Sequence, residues 1–92
     1  MTTTYQKTSA EVLDYTVDWA SFLSTDTIST STWTLDTGIT KVSDSHTTTT
    51  CTAFISGGST DRTYMLTNVI VTAGGRTAAR SFNLSIIQYE YV

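Results

Sequence analysis

The stretch TYMLTNVIVTAGGR, residues 63–76, predicts a long central strand and the turn that follows it. Side chains of a strand point alternately to its two faces, and here both sets are largely apolar. A strand of this kind is either covered on both faces or lies at a contact between subunits. Because Gly74-Gly75 tolerates positive φ, we expect a two-residue hairpin loop after the strand. The two predicted faces are Tyr64, Leu66, Asn68 and Ile70 on one side, and Met65, Thr67, Val69 and Val71 on the other.

Further strands are predicted on both sides of this stretch. Residues 12–19 and 80–87 alternate cleanly between apolar and polar side chains, with Asp14 and Asp18 on the polar face of the first. Residues 26–35 change phase near their middle, which predicts a β-bulge or a bend. Counting the shorter segments between them, six or seven strands are separated by turn signals about every ten residues.

The composition predicts an all-β chain that forms one domain. The 92 residues include 22 Thr and 11 Ser, and the β-branched Thr side chain suits a half-exposed strand surface. A chain of this length buries a single core. Cys51 is the only cysteine, so an internal disulfide is excluded. We therefore expect an immunoglobulin-like antiparallel β-sandwich of about seven strands without a disulfide.

The two ends of the chain are predicted to differ from the sandwich of residues 11–86. Residues 1–10 are polar and aperiodic, which predicts an arm that is flexible unless a partner holds it, with a frayed terminus as the alternative. Residues 87–92 form a strand extension whose apolar phase is opposite to that of the preceding strand. Either these side chains point away from the core, or a bulge turns the tyrosines onto the sandwich edge. The candidate assembly contacts are Tyr5, Ile87, Tyr89 and Tyr91.

Catalytic, cofactor and metal sites are not predicted. His46 is the only histidine and lies in a polar turn, and one Cys with one His cannot complete a zinc site. Asp14 and Asp18 lie on one strand about 13 Å apart, too far to act together on a glycosidic bond. The net charge is −3 and no Lys/Arg cluster occurs, which argues against nucleic acid as a partner. The first residues show no signal peptide and no membrane span.

An ordered set of motifs resembles the phage fiber-tail adaptor proteins, a family of small virion proteins of tailed bacteriophages. The similarity covers residues 12–84. It includes DYTVDW at 14–19, DTISTSTW at 26–33, GITKVS at 38–43, FISGG at 54–58, TNVIVT at 67–72 and RSF at 80–82. The residues expected to determine the fold are Trp19, Trp33, Tyr64, Gly74, Gly75 and Arg76.

The resemblance implies a structural role without catalysis. The protein would be made in the host cytoplasm and would join tail fibers or spikes to the tail or neck of the virion in multiple copies. Its partners would be other tail or neck proteins and fibers, with no cofactor, nucleic acid or membrane. Head–tail joining, head decoration, and a virion-displayed carbohydrate- or cell-surface-binding module remain alternatives.

Overall fold

The computed structural model describes residues 4–88, which contain seven strands and one short helix. Regular alternation of apolar side chains produces most of these strands, as expected for a chain rich in β-branched residues. In chain order the elements are β1 (Thr4–Thr8), β2 (Leu13–Asp18), α1 (Ala20–Leu23), β3 (Ile28–Leu35), β4 (Ile39–His46), β5 (Thr50–Gly57), β6 (Thr63–Thr72) and β7 (Thr77–Ile87).

The strands form two sheets, with the order β1-β7-β6-β3 in one and β2-β5-β4 in the other. Every pairing is antiparallel except that of β1 with β7, which is parallel. Immunoglobulin domains divide their strands in the same way, except that here the first strand lies beside the last. Cys51 is free and buried. The predicted all-β sandwich without a disulfide is confirmed.

β6 is central in its sheet, as its sequence predicted, but only one of its faces is covered. Tyr64, Leu66 and Ile70 are buried against the second sheet. On the opposite face Met65 is 47% exposed and Val71 is 38% exposed. The apolar residues on the outer side of β6 are therefore not covered by a third layer within the part of the chain that the structure describes.

The N-terminal segment differs from the expected arm, because residues 4–8 form β1 inside the sandwich. Thr4 lies opposite Asn83, and the parallel register continues along β7. Lys7 is 1% exposed, and its Nζ donates to the carbonyls of Thr8 and Gly57, each at 2.7 Å. Burying a charged ammonium group is costly, and hydrogen bonds to these two carbonyls offset part of that cost. The remaining desolvation lowers the pKa of Lys7.

The hairpin between β6 and β7 is longer than the two-residue loop predicted from Gly74-Gly75. Gly75 N–H donates to the Thr72 carbonyl, and Thr72 N–H donates to the Arg76 carbonyl. The loop therefore contains three residues, closed by a glycine at φ +89°. A turn followed by one left-handed residue is the next most common hairpin after the two-residue loops. Only Gly75 of the two glycines needs positive φ.

The phase changes predicted at two other places have different outcomes. In β3 the register shifts between Ile28 and Thr30, so the predicted bulge is confirmed. In β7 the pairing with β1 continues to Ile87 without a shift. Ile87 is half-buried on the outer side of its sheet, and Tyr89 and Tyr91 lie outside the described residues.

The buried hydroxyl of Tyr15 predicts a loss of stability at alkaline pH. It has no hydrogen-bond partner among residues 4–88. Desolvation, followed by the charges of Glu11 and Asp14, raises the pKa of Tyr15 from 10.0 to about 12. The folded state therefore keeps a proton that the unfolded chain releases above pH 10. The resulting stability is complete below pH 10 and is lost as the pH rises through about 12.

The measurement is urea unfolding of the wild type and Tyr15→Phe between pH 8 and 12. The variant should equal or slightly exceed the wild type at pH 8, because it removes a buried hydroxyl without a partner. The free energy of unfolding of Tyr15→Phe, relative to that of the wild type, should increase by about 2–3 kcal/mol toward pH 12. A difference that stays constant with pH would contradict the buried, neutral Tyr15.

Candidate assembly surfaces

Two of the residues predicted to determine the fold occupy positions typical of immunoglobulin domains. Tyr64 stands near the start of β6, and its hydroxyl accepts the Ser59 N–H at 2.9 Å. A tyrosine at this corner bonds to upstream backbone in the same way in that fold. Leu66, two residues later, is fully buried where antibody domains carry a cysteine. Trp33 is buried on β3 and packs edge-on against Phe82 at 6.0 Å.

Trp19 connects the two sheets through a buried hydrogen bond. It follows β2, and its Nε1 donates to Asn68 Oδ1 on β6 at 2.9 Å. The Asn68 amide in turn donates to Ser31 Oγ on β3 at 3.0 Å. The Arg80 guanidinium lies over the same indole, with its Cζ 4.5 Å from the ring centroid. This network explains why the polar Asn68 is accommodated on the core face of β6.

Gly74 and Arg76 join the β6–β7 hairpin to the segment before β3. The Asp26 carboxylate accepts from Gly74 N–H at 3.0 Å and from Arg76 Nε at 3.2 Å. The Arg76 guanidinium also lies over the Phe22 ring at 4.5 Å. A hydrogen bond with the Thr72 side chain, then those with nearby backbone amides and Arg76, lower the pKa of Asp26 to about 2.

One open depression is lined by Asp36, Thr37, Arg62, Thr63 and Tyr64, of which Asp36 is the single carboxylate. Within residues 4–88, no three His, Cys, Asp or Glu side chains come together as a metal site. The same described residues include no helix of the length and apolar character needed to cross a bilayer.

The outer side of the four-stranded sheet is a face without charge, here called the neutral face. The registers of β1, β3, β6 and β7 determine which side chains point outward. None of those placed there among the described residues is Asp, Glu, Lys, Arg or His. The side chains on the neutral face are Thr4, Gln6, Thr30, Thr32, Thr34, Thr63, Met65, Thr67, Val69, Val71, Thr77, Ala79, Ser81, Asn83, Ser85 and Ile87.

The outer side of the three-stranded sheet is different, and we call it the acidic face. Phe54 is 42% exposed there and lies directly opposite Asp14 on the neighbouring strand. Asp18 lies on the same side of that strand. Val42, at the register shift of β4, is 58% exposed. The ion pair between Lys41 and Asp44, at 3.0 Å, includes neither Asp14 nor Asp18.

The structure positions only part of the predicted assembly set for contact. Tyr5 is 39% exposed, but its ring packs against Phe82 and Tyr15, with centroids 5.2 and 5.4 Å away. It therefore contributes to the sandwich edge as well as to the surface. Beside it, Arg80 and Asp18 help to line a cleft of about 190 Å³ between the two sheets.

The sequence analysis did not identify Phe54 and Val42 as surface residues. The signal for Phe54 was present, since it is the one large apolar side chain in the polar phase of its strand. Val42 could not be placed, because the bulge in β4 changes which residues point outward.

Comparison with known proteins identifies one family. The model of the podophage GP4 fiber-tail adaptor protein gp77 family matches residues 7–85. A search of curated proteins finds no match. The matched segment runs from β1 into β7 and so includes both sheets of the sandwich. On this evidence the chain belongs to the podophage GP4 fiber-tail adaptor protein family.

Proposed function

We propose that this protein is a structural adaptor of the podophage virion that holds fibers to the tail through its acidic face. The observation that carries the proposal is that Phe54 and Val42 are exposed on the three-stranded sheet, with Asp14 directly opposite Phe54 and Asp18 on the same side of β2. An apolar side chain at the centre of a polar rim is typical of a protein contact. Family membership supports the role, and the protein needs no catalysis to perform it.

The charges of the acidic face define the partner surface it fits. Asp14 lies opposite Phe54, and Asp18 lies further along the same side of β2, so a partner would present Lys or Arg around a pocket for an aromatic ring. Rim charges of this kind act on the association rate and make binding sensitive to salt. Binding should therefore weaken when the ionic strength is raised.

Several copies would surround the tail, with Tyr5 and the extension of residues 87–92 contacting neighbouring proteins. Ile87 supports this, because β7 continues without a bulge and leaves that side chain on the outer side of the sheet. Tyr89 and Tyr91 remain candidates for the same contact.

The carbohydrate-binding alternative has less support. A shallow sugar platform needs exposed aromatic rings close together, whereas Trp19 and Trp33 are buried in the core and the exposed rings of Tyr5 and Phe54 belong to different sheets. Head–tail joining and head decoration would use the same sandwich and are separated from fiber attachment by location in the particle.

The test uses particles that carry Phe54→Asp in this protein, with Thr60→Asp as the control that adds the same charge. Thr60 is exposed in the loop between β5 and β6 and belongs to no strand of the acidic face. We expect the Phe54 variant to fold and its particles to lack fibers in cryo-electron micrographs, while the control keeps them. A full set of fibers on the Phe54 variant would contradict the proposal, as would density for the protein at the capsid surface.

A further inference from the structure

We propose that two copies of this chain pack against each other through their neutral faces. The inference rests on the proposed adaptor role, in which several copies share one tail, and it assigns the surface by which they meet. It follows from the distribution of charge, the apolar row on β6 and the area of the sheet.

The distribution of charge selects this face for contact between identical chains. In a twofold contact the same patch meets itself, so a patch whose charges are all of one sign brings like charges together. The acidic face would bring Asp14 and Asp18 toward the same residues of the second copy. The neutral face brings together hydroxyl, amide and methyl groups only, although the whole chain has a net charge of −3. Interface cores are depleted in charge in the same way.

The apolar row gives the contact its centre. Met65, Val69 and Val71 follow each other on the outer side of β6. β6 is flanked by β3 on one side and β7 on the other, so the row lies inside the sheet and away from its edges. On either side of it stand small side chains such as Thr32 and Ala79, opposite Val69. Small neighbours let a second sheet approach to about 10 Å, the usual distance between packed sheets.

The area of the neutral face suits a weak, specific dimer. The four strands contain 5, 8, 10 and 11 residues, which corresponds to a flat footprint of about 540 Å² at the usual rise and spacing of strands. Stable interfaces bury about 800 Å² of accessible surface on each partner, and crystal contacts mostly less than half of that. Since accessible surface exceeds a flat footprint, the face falls near the lower end of the specific range. Association should therefore depend on concentration.

The experiment is sedimentation velocity of the purified full chain over a wide range of concentration, with two matched lysine variants. Val71→Lys places a charge on the neutral face, whereas Val42→Lys places the same charge at an exposed valine of the other sheet. We expect the wild type and Val42→Lys to shift from monomer to dimer as the concentration rises, and Val71→Lys to stay monomeric. Thermal unfolding of each variant shows that it is folded.

Two results would overturn the inference: a wild type that stays monomeric at every concentration, or a Val71→Lys variant that dimerises like the wild type. Added salt gives a second readout. A contact without charges should be no weaker at high ionic strength, whereas a contact through the acidic face would change. Because the adaptor test scores fibers on particles, it can succeed while this one fails, and the two conclusions are separable.

Discussion

Replacing Trp19 by alanine is expected to lower the free energy of unfolding by about 3–5 kcal/mol, the range for a fully buried tryptophan. The indole is 1% exposed and lies between the two sheets. Its removal leaves a cavity and also leaves Asn68 Oδ1 without its donor inside the core. Arg80 loses the ring beneath its guanidinium as well. Urea unfolding at neutral pH, followed by circular dichroism, measures the loss.

Trp19→Phe removes the hydrogen bond with less loss of packing. Phenylalanine keeps a buried six-membered ring but lacks the Nε1 donor and the smaller ring of the indole, so we expect a smaller loss of about 1–3 kcal/mol. Asn68→Leu in the wild-type background removes the other partner of the same bond. If Trp19→Ala unfolded at the same urea concentration as the wild type, the indole would not be the link between the sheets.

The sequence was sufficient to predict the elements whose pattern is local. β6 has side chains that alternate strictly over ten residues, and its core face is the predicted set from Tyr64 to Ile70. The bulge in β3 was predictable because Ile28 and Trp33 could not both face the core in one register. Periodicity reports which side of a strand is buried, so it predicted the core and the sandwich.

Pairings between distant parts of the chain were not predictable in this way. β1 joins the sheet by a parallel pairing with β7. Its five residues do not alternate between apolar and polar side chains, so their pattern does not indicate a strand. Lys7 also favoured an exposed segment, because a lysine side chain is rarely buried without hydrogen-bond or charged partners. Its partners are the carbonyls of Thr8 and Gly57, and the second of these becomes adjacent only after folding.

The candidate surfaces show the same limit. Met65, Val69 and Val71 were predicted on one side of β6, but whether that side met a third layer or solvent depended on the number of sheets. The neutral face is a property of four strands together, and their order includes the unpredicted neighbour β1. The local sequence was therefore enough to predict the apolar row on β6, whereas the neutral face could be identified only once the order of the strands was known.

A similar limit applies to Gly58, because its importance depends on a contact with a distant strand. Its φ is +97°, and a Cβ added there would lie 2.6 Å from Ile86 Cγ1. The surrounding loop is tied to that part of β7, since Asp61 N–H donates to the Ile86 carbonyl and Ile86 N–H to the Arg62 carbonyl. These bonds hold the two backbones together, and the Ile86 side chain is itself buried in the core, so it could move away only by repacking its neighbours. Gly58→Ala should therefore cost backbone strain and overpacking together, about 2–5 kcal/mol.

Gly75→Ala is the matched control, because it isolates the backbone strain. Its φ of +89° is close to that of Gly58, but no atom lies within 4 Å of the added Cβ. We expect this variant to lose only about 1–2 kcal/mol. Measured by thermal unfolding, Gly58→Ala should melt well below Gly75→Ala, by several degrees for each kcal/mol in a chain of this size. Equal melting temperatures would mean that the close approach of Gly58 to Ile86 does not constrain the fold. A clear difference would show that the glycine is required there by the packing of the loop against β7 as well as by its backbone conformation.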